Sequence, residues 1–174
     1  MSADMSPKGE IKYQGKFITA VKSGTWEFVR RARGIRAVVI EAIVDDCLLM
    51  VEQHRIPIGK SCLELPAGLV GDDEGGADDD FEKAAFRELE EETGYRPGRI
   101  EVIGEFYSSP GLVAESFTAV RALDCVKVGE GGGVEGENII VHKIPLADVP
   151  DFVARRRAAG AAVDVRLMAY LSGR

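Results

Sequence analysis

Hydrophobic residues in this chain fall mostly into short alternating or continuous runs, the pattern of strands, and helical spacing is confined to three places. Residues 17–22 and 25–30 flank Ser23-Gly24, which reads as a two-residue hairpin turn. Residues 36–44 are a buried run, and Asp45-Asp46 turns it into a second run at 47–53. A short strand at Leu63-Glu64-Leu65 leads to Pro66-Ala67-Gly68, two more strands cover 99–107 and 116–122, and a last one covers 139–144. Helices are predicted over 79–93, with Asp78 or Asp79 as N-cap, and over 146–159 and 163–171, where Pro145, Pro150 and Gly160 punctuate the chain. With no internal repeat and no second core, this predicts class α+β: a mixed sheet with helices on its faces.

Composition narrows the class of partner. A chain of 174 residues, 45% apolar and 29% charged, is long enough for one domain with a sizeable core. Its net charge of −7 and lack of a basic tract argue against nucleic acid as a partner. An acidic protein that handles anionic phosphates needs metal ions to mediate. Cys47, Cys62 and Cys125 are widely spaced and odd in number, so free thiols in a reducing compartment are expected. Residues 1–16 contain no apolar signal core, and no stretch has the length of a membrane span, so a cytoplasmic protein without membrane attachment is expected.

The chemistry concentrates in Arg87-Glu88-Leu89-Glu90-Glu91-Glu92-Thr93-Gly94-Tyr95. On a helix Glu88, Glu91 and Glu92 stand at i, i+3 and i+4 and share one face. Like charges so spaced destabilise a helix by roughly a few tenths of a kcal/mol per pair. A bare glutamate cluster is commonly just a solvated face. The ordered pattern of arginine, glutamates, glycine and aromatic is far narrower, arising on the order of once in ten million starting points at average residue usage. Hard divalent cations, Mg²⁺ or Mn²⁺, are the natural counter-charge for such carboxylates. Arg87, four residues before Glu91, is placed to brace the cluster, and Gly94 to end the helix.

Residues 68–95 resemble the Nudix box, G-x5-E-x7-R-E-U-x-E-E-x-G-U, where U is bulky and apolar. Gly68 and Glu74 fit its opening spacing and residues 87–95 its closing half. Twelve residues instead of seven separate Glu74 from Arg87, and the surplus falls in the glycine-rich, acidic stretch 75–80, which reads as loop. Such an insertion costs only loop entropy. The resemblance implies a Nudix α/β/α sandwich over residues 35–174, with a small antiparallel sheet in residues 1–34 that is exchanged in a homodimer.

The resemblance also implies hydrolysis of a diphosphate that bridges two organic groups. Glu88, Glu91 and Glu92 would hold Mg²⁺ together with the backbone carbonyl of Ala67, and Arg87 would support them. Glu137, or secondarily Glu135, would act as base from the loop after Gly129-Glu130-Gly131-Gly132-Gly133; Glu91 is the fallback on the helix itself. Other segments are similar to ADP-ribose and ADP-sugar pyrophosphatases: Thr25-Trp26-Glu27-Phe28-Val29-Arg30-Arg31, Gln53-His54-Arg55-Ile56-Pro57, and Ser108-Ser109-Pro110-Gly111-Leu112 followed by Glu115. They imply that Trp26 stacks on adenine with Phe17 on the base's other face, that Glu27 reads the base edge, and that Arg31 and Arg55 contact phosphate or ribose. Pro110, with Gly111, would contact substrate as the family's marker for ADP-ribose, and Glu115 would lie near the terminal ribose. Two competing expectations are a hydrolase for another nucleoside diphosphate sugar, such as GDP-mannose, and a silent domain that senses ADP-ribose. The intact set of box glutamates argues against the second.

Overall fold

The computed structural model describes residues 9–32, 35–71, 80–134 and 136–171. In chain order the strands are β1 (Glu10–Gln14), β2 (Ile18–Ser23), β3 (Trp26–Arg31), β4 (Arg36–Val44), β5 (Cys47–Arg55), β6 (Lys60–Glu64), β7 (Ala67–Val70), β8 (Tyr95–Arg96), β9 (Arg99–Tyr107), β10 (Ser116–Leu123), β11 (Val126–Lys127), β12 (Ile140–Pro145) and β13 (Ala162–Val163). The helices are α1 (Phe81–Thr93) and α2 (Val149–Ala158). None of the described helices is long and apolar enough to cross a membrane.

The main sheet runs β13-β6-β5-β4-β10-β9, with β12 joined to β5 and β7 to β4. β4 and β10 are parallel, while β9 and β5 flank them antiparallel, so the sheet is mixed as expected. β4 shows why the molecule has three layers. Its alternate residues Val38, Ile40 and Ala42 pack with Ala84, Ala85 and Leu89 of α1, whereas Val39 faces the opposite layer with Val149 and Val153 of α2. A strand covered on both faces has no solvent side to mark with polar residues, which accounts for its continuous apolar run. Burying a leucine such as Leu89, fully inaccessible here, contributes about 1.5–3 kcal/mol.

β1, β2 and β3 form a separate antiparallel three-stranded sheet. It meets the rest of the chain through Val29, whose N–H donates to Leu112 O at 2.9 Å and whose carbonyl accepts from Ala114 N at 2.8 Å. Ser23 pairs with Trp26, so the hairpin turn is Gly24-Thr25, one residue later than the sequence suggests. Gly24, at φ +59°, supplies the left-handed residue the turn requires.

The C-terminal expectation needs a larger correction. Residues 146–148 form a 3₁₀ turn before α2, and the predicted second helix over 163–171 is absent. Val163 joins the sheet as part of β13 beside β6, and residues 165–170 form a 3₁₀ segment capped by Asp164, whose carboxylate accepts from Arg166 N at 2.8 Å. Once the β-branched valine is taken by the sheet, too few residues remain for a stable α-helix. β1 and β7 were not apparent from the sequence either.

Candidate active site

α1 positions the carboxylates. Its N-cap is Asp80, whose Oδ1 accepts from Lys83 N at 2.9 Å, while Glu74 and residues 75–79, Asp78 and Asp79 among them, lie outside the described residues. At the other end Gly94, at φ +75°, donates its N–H to Glu90 O at 2.8 Å and ends the helix. Ala84, Ala85 and Leu89 face the core, which turns Glu88 and Glu92 toward β7.

Glu92 is the most enclosed acid of α1, 5% exposed, and its Oε2 accepts from the backbone N–H of Ala67 at 3.0 Å. Burial, first of all, pushes its carboxyl up to about 8; the Ala67 N–H opposes that rise, and the charges of Glu88 and Glu137 add to it. Burial also raises Glu88, against the pull of Arg87, with Glu91 and Glu137 adding repulsion. Glu88 lies directly on Gly68: a Cβ there would come within 2.0 Å of its Cγ and Cδ. Arg87 donates to Leu69 O at 3.1 Å and to Glu88 Oε1 at 3.2 Å, so it holds Glu88 of the cluster.

The glycine-rich loop is no free hinge. Gly132 N–H donates to Glu92 O at 2.9 Å and Gly133 N–H to Glu91 O at 3.1 Å. Its far end carries Glu137, whose Oε2 accepts from Val134 N at 3.0 Å and whose charge is felt at both Glu88 and Glu92. Glu135 lies outside the described residues.

No three acidic, histidine or cysteine side chains among the described residues converge on a single point. The donor set nevertheless suits a hard cation. Buried carboxylates that raise one another's proton affinity hold excess negative charge that Mg²⁺ would neutralise, with Glu88, Glu91, Glu92 and the Ala67 carbonyl as oxygen donors.

Arg55 flanks this cluster. It donates Nε and Nη2 to the two oxygens of Glu64, each at 2.7 Å, and lies close enough to Glu92 to lower its carboxyl. Glu64 is 3% exposed and also sits 3.7 Å from Arg166. Sequence reading missed Glu64 because Leu63-Glu64-Leu65 looks like a strand with its polar residue outward.

A second constellation forms where the two sheets meet. Trp26, Phe28 and Ser23 line a cavity of about 310 Å³ with Pro110, Gly111 and Val113, so two of the expected substrate segments come together. Trp26 is 62% exposed, so it is no core anchor. Arg31 and Glu115 form an ion pair through Nε and Oε1. Two other expected residues lie elsewhere within the chain. Alternation along β3 places Glu27 in a different cavity, with Lys12 and Leu112, 3.8 Å from Lys22. Phe17 sits at the other end of the β2–β3 hairpin, its carbonyl bonded to Ala32 N, so one base cannot be stacked between Phe17 and Trp26 of one chain. Alternation would have identified Phe28, two residues after Trp26, as its same-face neighbour.

Residues 31–162 match the NUDIX domain family. The chain is 34% identical over 161 residues to an uncharacterized Nudix hydrolase of Schizosaccharomyces pombe, covering 85% of this chain and 76% of that protein. It is 32% identical over 169 residues to the ADP-sugar pyrophosphatase of Mus musculus, covering 86% and 73%. Its fold is similar to that of a solved ADP compounds hydrolase, with a TM-score of 0.64 at 22% identity over 86% of each chain. With a box helix that carries its full set of glutamates and a three-layer sandwich around it, the chain belongs to the Nudix family of hydrolases.

Proposed function

We propose that this protein hydrolyses the diphosphate bond of ADP-ribose, or a closely related ADP-sugar, to AMP and a sugar phosphate, using Mg²⁺ or Mn²⁺. The observation that carries the proposal is the meeting of Trp26 with Pro110 and Gly111 around one cavity, in a chain whose box helix gathers Glu88, Glu91 and Glu92. The mouse relative, named for ADP-sugar cleavage, supports the same substrate class.

When bound, the ions supply charge neutralisation on the diphosphate and acidify the attacking water. The chain's own residues do the rest. Glu88, Glu91, Glu92 and the Ala67 carbonyl would hold the cations, with Arg87 fixing Glu88. Glu137 takes the proton from the water as its oxygen bonds to phosphorus and the P–O–P bridge breaks. Arg55, oriented by the buried Glu64, faces the phosphates, and Trp26 offers an exposed ring to adenine. Arg31 and Glu115 act on the ribose side.

Ile11, Tyr13, Phe17, Ile18 and Trp26 are all exposed on the N-terminal sheet or beside it. Such apolar exposure supports a homodimer in which this sheet covers a second copy and Trp26 completes its adenine pocket. Sedimentation should give a dimer at assay concentrations; a fully active monomer would rule that arrangement out.

The substrate is tested with equimolar ADP-ribose, ADP-glucose, GDP-mannose and NADH in Mg²⁺, then with EDTA. ADP-ribose or ADP-glucose should be cleaved fastest and EDTA should stop it. Faster cleavage of GDP-mannose would overturn the substrate assignment.

A further inference from the structure

The last turn of any α-helix leaves backbone carbonyls without partners inside the helix. In α1 the glycine-rich loop takes them. Gly94 N–H bonds Glu90 O, Gly133 N–H bonds Glu91 O at 3.1 Å, and Gly132 N–H bonds Glu92 O at 2.9 Å. Val128 and Gly129 both donate to Gly94 O, at 2.8 and 3.1 Å. Two of the residues whose carbonyls are captured, Glu91 and Glu92, also place their side chains on the acidic face.

The path from these bonds to Glu137 is short and closed. Ile139 N–H donates to Gly132 O at 3.1 Å, Glu137 N–H to Val134 O at 3.1 Å, and Val134 N–H to Glu137 Oε2 at 3.0 Å. Only hydrogen fits at two of the path's three glycines. A Cβ on Gly131 would lie 2.4 Å from Thr93 C and 2.6 Å from Glu92 O. On Gly133 it would lie 2.3 Å from Glu137 Oε2 and 2.9 Å from Ile139 Cδ1. Both glycines also hold left-handed backbone, at φ +71° and +77°.

We infer that residues 131–133 are a backbone strap that sets the distance between the Glu137 carboxylate and the acidic face of α1, with Gly133 as its decisive positioning residue. The inference rests on the reading of Glu137 as base. It accounts for glycines at 131 and 133 by the space their hydrogens leave, whereas Gly129 has nothing nearer than 3.9 Å and is under no such demand.

A methyl at Gly133 meets the free ends of two flexible side chains, Glu137 Oε2 and Ile139 Cδ1, which can yield, while the left-handed φ adds a modest strain that the fold can carry. Relief to ordinary van der Waals contact moves Oε2 by about 1 Å, a displacement that costs on the order of 10²-fold in rate. With ADP-ribose and Mg²⁺, Gly133→Ala should therefore lower kcat by about 10²-fold and leave KM within about 2-fold, while Gly129→Ala stays at wild-type values. Added to Glu137→Gln, Gly133→Ala should cause no further loss, because both act through one carboxylate. Losses that multiply, or wild-type kcat in Gly133→Ala, would overturn the strap. Wild-type kcat in Glu137→Gln alone would instead remove the base assignment and the inference with it. Should Gly133→Ala not fold, amide exchange on the wild type and Glu137→Ala, which removes the acceptor of Val134 N–H, decides. Gly132 and Gly133 should be protected like α1 in both, and Val134 only in the wild type; free exchange at Gly132 and Gly133 in the wild type would overturn the inference.

Discussion

Gly68 is where the smallest perturbation should have the largest chemical effect. Its backbone is not in the left-handed region, so alanine there carries no conformational penalty. The added methyl, however, would sit 2.0 Å from Glu88 Cγ and Cδ and 2.2 Å from Oε1. Ordinary carbon contacts begin near 3.5 Å, so the Glu88 carboxylate must retreat by about 1.5 Å. Arg87, which holds Oε1 at 3.2 Å, is drawn along with it or released. Ligand distances to Mg²⁺ tolerate deviations of only about 0.2 Å, so Glu88 is lost as a ligand in its present pose. Displacement on this scale should lower kcat/KM for ADP-ribose by about 10²-fold, which is about 2.7 kcal/mol of barrier, and raise the Mg²⁺ concentration at half-maximal rate by about tenfold or more. The assay is initial rate against Mg²⁺ for wild type and Gly68→Ala, with thermal melts in EDTA as a folding control. A Gly68→Ala enzyme with wild-type Mg²⁺ dependence would show that Glu88 is not a metal ligand.

Glu92→Gln should abolish turnover yet melt no lower than wild type in EDTA, because an amide oxygen can still accept from Ala67 N–H and the carboxyl it replaces, pushed up to about 8 by burial, is already largely neutral without metal near pH 7; near wild-type kcat would exclude Glu92 from the metal set. Trp26→Ala should raise KM by about 5- to 150-fold, the equivalent of about 1–3 kcal/mol of stacking, with the melting temperature unchanged because the ring is exposed; an unchanged KM would place adenine elsewhere. Arg156→Met should destabilise the fold by about 1–3 kcal/mol at pH 7, since Glu52, 2% exposed, would keep His142 at 3.2 Å as its one hydrogen-bonding side chain among the described residues. The bond from Arg156 is the largest cause holding the Glu52 carboxyl below its ordinary 4.5. That stability is therefore present above pH 4.5 and lost as pH falls through the lowered value, so urea midpoints of variant and wild type should converge in acid. A gap that stays constant from pH 7 down would refute the pairing.

Much of this molecule was legible because local pattern and tertiary demand agree. The run at 36–44 and the strand at 99–107 end where the sequence suggests, and the acidic helix closes at Gly94 as expected. What escaped depends on distant partners. β7 is four residues long and is a strand only because β4 pairs with it. At 163–171 the apolar spacing is compatible with either element, and the vacant edge of β6 decides. Glycine composition marks 129–133 as loop, but the carbonyls that fix it belong to residues some forty positions earlier. Glu64 shows the limit most clearly: a buried charge is invisible until Arg55, nine residues upstream, is seen to hold it.

The capture of the α1 carbonyls by residues 132 and 133 also sets an order of events during synthesis. Ala67, Gly68 and the box glutamates leave the ribosome first, but Glu137 follows about forty-five residues after Glu92, and β12 just behind it must pair with β5 across some ninety residues of chain. At about 5–20 residues per second, a nascent chain spends several seconds with its acidic helix made and the Glu91 and Glu92 carbonyls still without their loop partners. Contacts so far apart in sequence form late in folding. Hydrolytic competence therefore arrives as a single step when the sheet closes, and a chain stalled before residue 140 should be unable to consume nucleotide.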